Sequence, residues 1–191
     1  MTPRQAAMQA PDMATASPWN DQQLFSSASV EWSTPDWLFE RLHREFAFEL
    51  DAAASAQNTL CEDFLTDGDD ALRTEWLRPG MASAPPPAVW LNPPWGRGIA
   101  AWVARAWQQC QKHRLTVVCL LPATTDTGWW HGIAMPHASE IRLIRGRLKF
   151  VRSDGHTGPC TKGSAIVIFR PTWNGAKIAR FSAMEKPDAS R

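Results

Sequence analysis

Leu91-Asn92-Pro93-Pro94-Trp95 is the stretch of this chain whose residue types and spacing could do chemistry. The short apolar run Ala88-Val89-Trp90-Leu91 leads into it and reads as a buried strand. Two consecutive prolines have fixed φ and no N–H to donate. A residue before proline is held extended. Asn92 and the Pro93 carbonyl are therefore offered in a nearly predetermined geometry, with Trp95 close behind. The arrangement is rich in acceptors and carries one aromatic face. It suits a planar group bearing an NH₂: the amine donates to the two oxygens and the ring stacks on the indole.

An Asn-Pro-Pro sequence can also be an ordinary strand-to-loop turn. Two neighbours favour the chemical reading, namely the apolar strand before it and the turn Gly96-Arg97-Gly98 before the next helix. The pattern resembles the [Asn/Asp/Ser]-Pro-Pro-aromatic signature of S-adenosylmethionine-dependent amino-methyltransferases. That resemblance implies methyl transfer to a planar exocyclic nitrogen. By itself it leaves adenine, cytosine, guanine and glutamine open as targets.

The elements that must position this motif lie on both sides of it. Order is expected to begin at Glu31-Trp32-Ser33-Thr34-Pro35, with Thr34 as N-cap and Pro35 at the first helical position. Trp37, Leu38, Leu42 and Phe46 then recur at helical spacing. A well-capped helix accounts for this stretch. So does a site in which the Ser33 and Thr34 hydroxyls and the helix N-terminus hold a carboxylate. Phe46 to Asp51 alternates and reads as the first core strand, followed by Ala52-Ala53-Ala54-Ser55. An acid beyond a strand's carboxyl end can meet a cationic ligand, and small residues let the ligand approach the backbone. Alanines stand here where Gly-x-Gly is usual. Only about 35 residues separate this strand from the Asn92 strand. That is too few for two full βα units, so short or irregular elements are expected.

Downstream, residues 98–113 read as an amphipathic helix and Leu115 to Leu121 as a buried parallel strand. Asp126 to Ala134 reads as helical. Ile141 to Ile144 and Ser164 to Phe169 read as strands paired near one edge. Between them runs Arg145-Gly146-Arg147-Leu148-Lys149-Phe150-Val151-Arg152. A basic strand with an interleaved aromatic suits nucleic acid. A charged, self-protecting edge strand would read the same way.

Composition narrows the class. The chain has 191 residues, 44% of them hydrophobic, which fits one domain with a sizeable core. No apolar run approaches the roughly 20 residues of a membrane span, and no signal peptide is read at the N-terminus. Cys61, Cys110, Cys119 and Cys160 lack CxxC spacing and read as reduced intracellular thiols. The net charge of +1 hides an asymmetry. Residues 31–80 hold 12 acids and 4 bases, whereas residues 141–170 hold 7 bases and one acid. An acidic half suits a cationic small molecule and a basic half suits phosphate. Two solvated faces of opposite sign would look alike. With 11 tryptophans and no tyrosine, aromatic stacking falls to Trp, Phe or His.

The order of these parts, over about residues 30–170, resembles the phage-type DNA N6-adenine methyltransferase family (Dam-like). The parts are the Thr-Pro helix, strand-Asp, Asp-x-Leu, Asn-Pro-Pro-Trp, Leu-Leu-Pro-Ala-Thr-Thr-Asp-Thr and Arg-Gly-Arg-Leu-Lys-Phe. The resemblance implies a compact class I S-adenosylmethionine-dependent methyltransferase fold: α/β, Rossmann-like, mostly parallel, and abbreviated before the Asn92 strand. It implies a catalytic set of Asn92, Pro93, Pro94 and Trp95, with Trp in place of the usual Tyr. S-adenosylmethionine would sit against Trp32, Ser33, Thr34, Pro35, Asp51 and Ala53, with Asn58 near the ribose and Asp70 near the adenine ring. Double-stranded DNA would meet Arg97, Arg145, Arg147, Lys149 and Arg152, its target base turned out of the helix. No metal and no membrane are implied; a monomer in the cytoplasm of a bacterial host or phage-infected cell is expected. The organisation expected is a tail (1–29), one methyltransferase domain (30–173) and a C-terminal tail (174–191). A cytosine-N4, guanine-N2 or glutamine methyltransferase, or an inactive DNA-binding relative, are the alternatives.

Overall fold

The computed structural model describes residues 32–82, 85–152, 157–171 and 179–187; for Trp32 and for residues 151, 152 and 157–159 it describes the backbone alone. Residues 1–29 lie outside this set. In chain order the elements are β1 (Trp32–Ser33), α1 (Asp36–Phe46), β2 (Phe48–Asp51), β3 (Ala88–Leu91), α2 (Ile99–His113), β4 (Thr116–Pro122), α2's follower α3 (Met135–His137), β5 (Glu140–Ile144), β6 (Lys149–Arg152), β7 (Thr157–Pro159), β8 (Ser164–Phe169) and β9 (Arg180–Met184). A six-stranded sheet runs β2-β3-β4-β8-β5-β9, and a three-stranded antiparallel sheet runs β1-β6-β7.

Two apolar runs make the centre. All seven residues of β4 and all six of β8 are buried. Such strands must be covered on both faces, and their side chains divide by parity. Val117, Cys119 and Leu121 pack with Trp102, Val103 and Ala106 of α2, on the same side as Ala165 and Val167. Val118, Leu120, Ile166 and Ile168 pack with Leu38 and Leu42 of α1 and with Leu148 and Phe150. Five strands of the large sheet run one way. β8 alone runs against them, antiparallel to β4 and to β5. This is the mixed, mostly parallel α/β architecture expected of a class I methyltransferase.

The segment between β2 and β3 is as short and irregular as its length demands. Among its described residues there is an isolated parallel bridge, Asp51 to Phe64, and a 3₁₀ turn at Asp67–Asp69. Polar staples to α2 stand where further helices would pack. Gln109 Oε1 accepts the Trp76 N–H at 2.8 Å, and Lys112 Nζ meets Glu75 at 2.7 Å. Arg105 donates to the carbonyls of Arg73 (3.1 Å) and Thr74 (2.6 Å). The Lys112 ammonium, with Gln109 and His113, holds the Glu75 carboxyl down at about 2.

Three features differ from the sequence reading. Pro35, not Thr34, occupies the cap of α1, and its carbonyl accepts the Leu38 N–H at 2.9 Å. β5 and β8 pair near one edge of the sheet, as read, and neither forms it. The edge is β9, within the stretch read as a C-terminal tail; it pairs in parallel with β5 from Glu140↔Arg180 to Ile144↔Met184. Only Met184 of β9 is buried, so backbone pairing rather than an apolar face holds it. Finally, the helix expected over 126–134 starts only at residue 128 and widens to a π-helical turn at Trp130–Ala134, with Trp129 and Trp130 packed into the core.

Candidate active site

The site forms at the carboxyl ends of β2 and β3, where parallel pairing sets Asp51 beside Trp90. Beyond Leu91 the prolines end the strand: Pro93 is buried and Pro94 exposed. Asn92 is half-buried, and its Nδ2 donates to Thr34 Oγ1 at 3.2 Å. A carboxamide has one donating and one accepting side. With Nδ2 engaged, Oδ1 is the free side, and among the described residues no donor meets it or the Pro93 carbonyl.

Trp95 is held differently. Its indole N–H donates to the Leu120 carbonyl on β4 at 3.3 Å. Its ring meets Phe150 edge-on, centroids 5.5 Å apart and planes at 81°. Phe150 is 6% exposed. The sequence reading offered Phe150 to nucleic acid, but the residue faces inward and supports Trp95. The alternation of β6 and its approach explains why: Leu148 and Phe150 enter the core while Arg147 and Lys149 stay exposed.

A pocket opens beside Asn92, lined by Ser33, Thr34, Asp51 and Ala53, with Asn58, Leu60 and Trp90 completing it. Asp51 is 3% exposed. Its two oxygens accept the N–H groups of Ala53 and Leu60, each at 3.3 Å. Burial pushes its carboxyl up to about 6, against the pull of those two N–H groups. Asn58 spends its Oδ1 on the Ser55 N–H at 2.7 Å, which shapes the loop. The Trp90 indole is wholly buried, and its Nε1 has no partner among the described residues. Cys61 is pushed up to about 12 by burial and by the charges of Asp51 and Asp63, which makes it an inert thiol.

The structure therefore brings Ser33, Thr34, Asp51, Ala53 and Asn58 together with Asn92. It does not bring Asp70 there: Asp70 caps the 3₁₀ turn at φ 47° and faces Arg73 at 3.4 Å. Pro35 lies at the cap of α1, next to Thr34, and the Trp32 side chain falls outside the described residues. Of the basic residues, Arg97 is exposed in the turn after Trp95. Arg145 is exposed and lies 3.6 Å from Glu185. Arg147 and Lys149 are exposed, and among the described residues neither pairs with an acid. The Arg152 side chain lies outside the described residues. Two other bases of the stretch are structural: Arg142 clasps Glu45 through two 2.6 Å bonds, and Arg170 reaches Glu140 at 3.4 Å. Among the described residues no three His, Cys, Asp or Glu side chains cluster to hold a metal. Among the described residues no helix is long and apolar enough to cross a membrane.

The family model of DNA N-6-adenine-methyltransferase (Dam) matches residues 22–191. The chain belongs to this family. It is 30% identical over 145 residues to the DNA N-6-adenine-methyltransferase of Haemophilus phage HP1 (strain HP1c1), covering 73% of this chain and 78% of the relative. It is 32% identical over 164 residues to the DNA N-6-adenine-methyltransferase of Escherichia phage T1, covering 75% of this chain and 64% of that protein's length. As a member of a DNA N-6-adenine-methyltransferase family, the chain needs a methyl donor and DNA. For this member, two supports of the motif escaped the sequence reading, namely Thr34 against Asn92 and Phe150 against Trp95. The Phe150 contact was traceable in the Leu148/Phe150 alternation. No local signal marks the Thr34 contact, because 58 residues separate the partners.

Proposed function

We propose that the chain transfers the methyl group of S-adenosylmethionine to N6 of an adenine turned out of double-stranded DNA. The observation that carries this reading is the Asn92 carboxamide, whose Nδ2 is tied to Thr34 while its Oδ1 meets no donor among the described residues, just before Pro93 and the anchored Trp95 in the chain.

The pocket beside Asn92 fits the proposed donor in two respects. Asp51 supplies a carboxylate for a cationic group, and the small side chain of Ala53 lets a ligand approach the backbone. Ser33, Thr34, Asp51 and Ala53, with Asn58 and Trp90, would hold it. When bound, S-adenosylmethionine supplies a methyl group already activated on a sulfonium. The chain's own residues then have a task of alignment. N6 of adenine is a poor nucleophile because its lone pair is delocalised into the ring. Asn92 Oδ1 and the Pro93 carbonyl accept the two N6 protons, which favours a pyramidal nitrogen. The same oxygens stabilise the positive charge that grows on N6 as it takes the methyl group, and one of the two N6 protons then leaves to water to give the neutral product. Trp95 stacks on the base, which must leave the duplex to be reached. Arg145, Arg147 and Lys149, with Arg97 and Arg152, meet the phosphates. A DNA substrate implies work in the cytoplasm of a bacterial host or phage-infected cell.

The test is labelled methyl transfer from S-adenosylmethionine to duplex DNA, with the modified base identified by mass spectrometry. N6-methyladenine is expected. N4-methylcytosine, or no transfer, would overturn the reading.

A further inference from the structure

We infer that Lys162 binds a phosphate of the DNA backbone beside Arg147, at the mouth of the site, and contributes more to DNA binding than Arg145 does. This rests on the phosphate contacts proposed above.

Residues 141–170 hold seven bases and one acid. Arg142 and Arg170 are consumed by Glu45 and Glu140. Arg145, Arg147, Lys149 and Arg152 form the basic run itself. Lys162 is the seventh base and stands outside that run.

The fold returns it there. The Cys160 N–H donates to the Leu148 carbonyl at 2.9 Å, and the Gly163 carbonyl accepts the Ala123 N–H at 2.9 Å. Ser164 then pairs with Pro122 at the end of β4. Lys162 is thus exposed on a loop pinned at both ends. The Arg147 guanidinium lies against the same loop. A β-carbon placed on Gly163 would stand 3.5 Å from Arg147 Nη1 and 3.5 Å from Ala123 Cβ. Ala123 follows Leu120 closely in the chain, and the Leu120 carbonyl holds the Trp95 indole. Loop, guanidinium and stacking surface therefore share one end of the sheet.

Arg145 sits further out. Its backbone N–H donates to Met184 of β9, and its guanidinium lies 3.6 Å from Glu185, whose carbonyl is held by Arg41 of α1. Across the sheet from the Asn92 strand, β8 comes second and β5 third, with β9 beyond. Neighbouring strands lie roughly 4.8 Å apart. Lys162, at the start of β8, is therefore about one strand spacing nearer the site than Arg145, at the end of β5. Among the described residues no acid pairs with Arg147 or Lys162. Two cations on one loop repel each other in the free protein, and a phosphate that joins them relieves the repulsion. The planar guanidinium supplies direction, and the flexible ammonium follows the backbone.

The experiment measures binding of a fluorescein-labelled DNA duplex by anisotropy over a series of salt concentrations. It compares the full chain with Lys162→Ala, Lys162→Arg, Arg145→Ala and Arg44→Ala, each checked by thermal melting. Arg44 is exposed in the last turn of α1, at the end away from Thr34, and controls for the loss of one positive charge. Each phosphate contact contributes about 0.9 to the slope of log affinity against log salt. Lys162→Ala should lower the slope by about that amount, and Arg145→Ala by less than about half as much. Arg44→Ala and Lys162→Arg should keep the slope of the unaltered chain.

An unchanged slope in Lys162→Ala overturns the inference. So does an equal fall in Lys162→Ala and Arg44→Ala, since net charge would then be the cause. A fall in Arg145→Ala as large as that in Lys162→Ala overturns the ranking of the two bases. The two levels separate cleanly. If the unaltered chain shows no salt-dependent binding of the duplex, the proposed phosphate contacts fail as a whole. If it binds and Lys162→Ala matches it, only the assignment of Lys162 falls.

Discussion

Asn92 and Trp95 are three residues apart and are secured by opposite kinds of force. Asn92 hangs on one directional contact, Nδ2 to Thr34 Oγ1, supplied from the end of a two-residue strand. Trp95 is wedged between β4 and β6, with one hydrogen bond to Leu120 and an aromatic edge from Phe150. The difference suits the tasks proposed for them. An oxygen that accepts from an amine must point within a narrow cone, and one hydrogen bond specifies a direction. A stacking surface needs to be present at the right depth, and packing specifies a depth. The first kind of support fails abruptly when a single atom is removed. The second degrades in proportion to the area lost.

Asn92→Ala carries the largest expected effect. Losing one preorganised polar contact of this type costs about 10²–10³ in rate. The loss should appear in single-turnover chemistry and leave S-adenosylmethionine binding in place. Trp95→Ala should cost roughly 1–3 kcal/mol, the worth of one base–aromatic stack. That loss should appear in capture of the extruded base, read by 2-aminopurine fluorescence at the target position. Trp95→Phe should recover most of it, because the Phe150 edge still has a ring to meet. Equal rate losses in both alanine variants, at the same kinetic step, would erase the contrast drawn here.

Asp51 tests the polar side at its far end. Burial raises its carboxyl from 3.8 to about 6. In the free protein the carboxylate therefore predominates only above about pH 6. Affinity for a cationic ligand should be full above that pH and fall as the pH drops through it, by at most about tenfold per unit. Asp51→Asn should flatten this profile in calorimetry run from pH 5 to 8. The stability sign is opposite. With respect to this group the free protein is most stable below about pH 4, where the acid is protonated folded and unfolded. It loses that advantage as the pH rises through about 6. The smallest expected effect is on the packed side. Arg147 and Lys149 share a strand and its approach with the buried Leu148 and Phe150. Replacing both bases by Ala should lower the slope of log affinity against log salt by about 2. The chemical step at saturating DNA should be unchanged.

What the residues revealed beforehand divides along the same line. Apolar runs and helical spacing are properties of neighbours in sequence, so β3, β4, β8, α1 and α2 were all legible. The short span between β2 and β3 was legible as irregular from its length alone. Asn92 and Trp95 were legible because proline geometry is local. β9 was not, since Arg180 to Ala183 are exposed and display no alternation. β1 is two residues long and exists only because β6 lies beside it. Thr34 reads as a cap because Thr-Pro usually is one, and its actual partner is far along the chain. Asp70 reads as a ligand by resemblance to an Asp-x-Leu element; its place at the end of the 3₁₀ turn, 3.4 Å from Arg73, is set by a turn that its neighbours in sequence do not announce.

The place of β8 in the sheet has a consequence for how the chain is made. β5 leaves the ribosome before β8, yet it joins β4 only through β8, which enters between them. Until residue 169 has emerged, the apolar edge of β4 stays unpaired, and Ile141 has no strand to lie against. The pairings β4 with β8 and β1 with β6 span long stretches of chain, and such closures are slow and leave sticky surfaces in the interim. A nascent chain halted between residues 144 and 164 would carry the whole Asn92 motif and still lack the middle of its sheet. Shortened forms of this protein should therefore accumulate as aggregates rather than as weak enzymes.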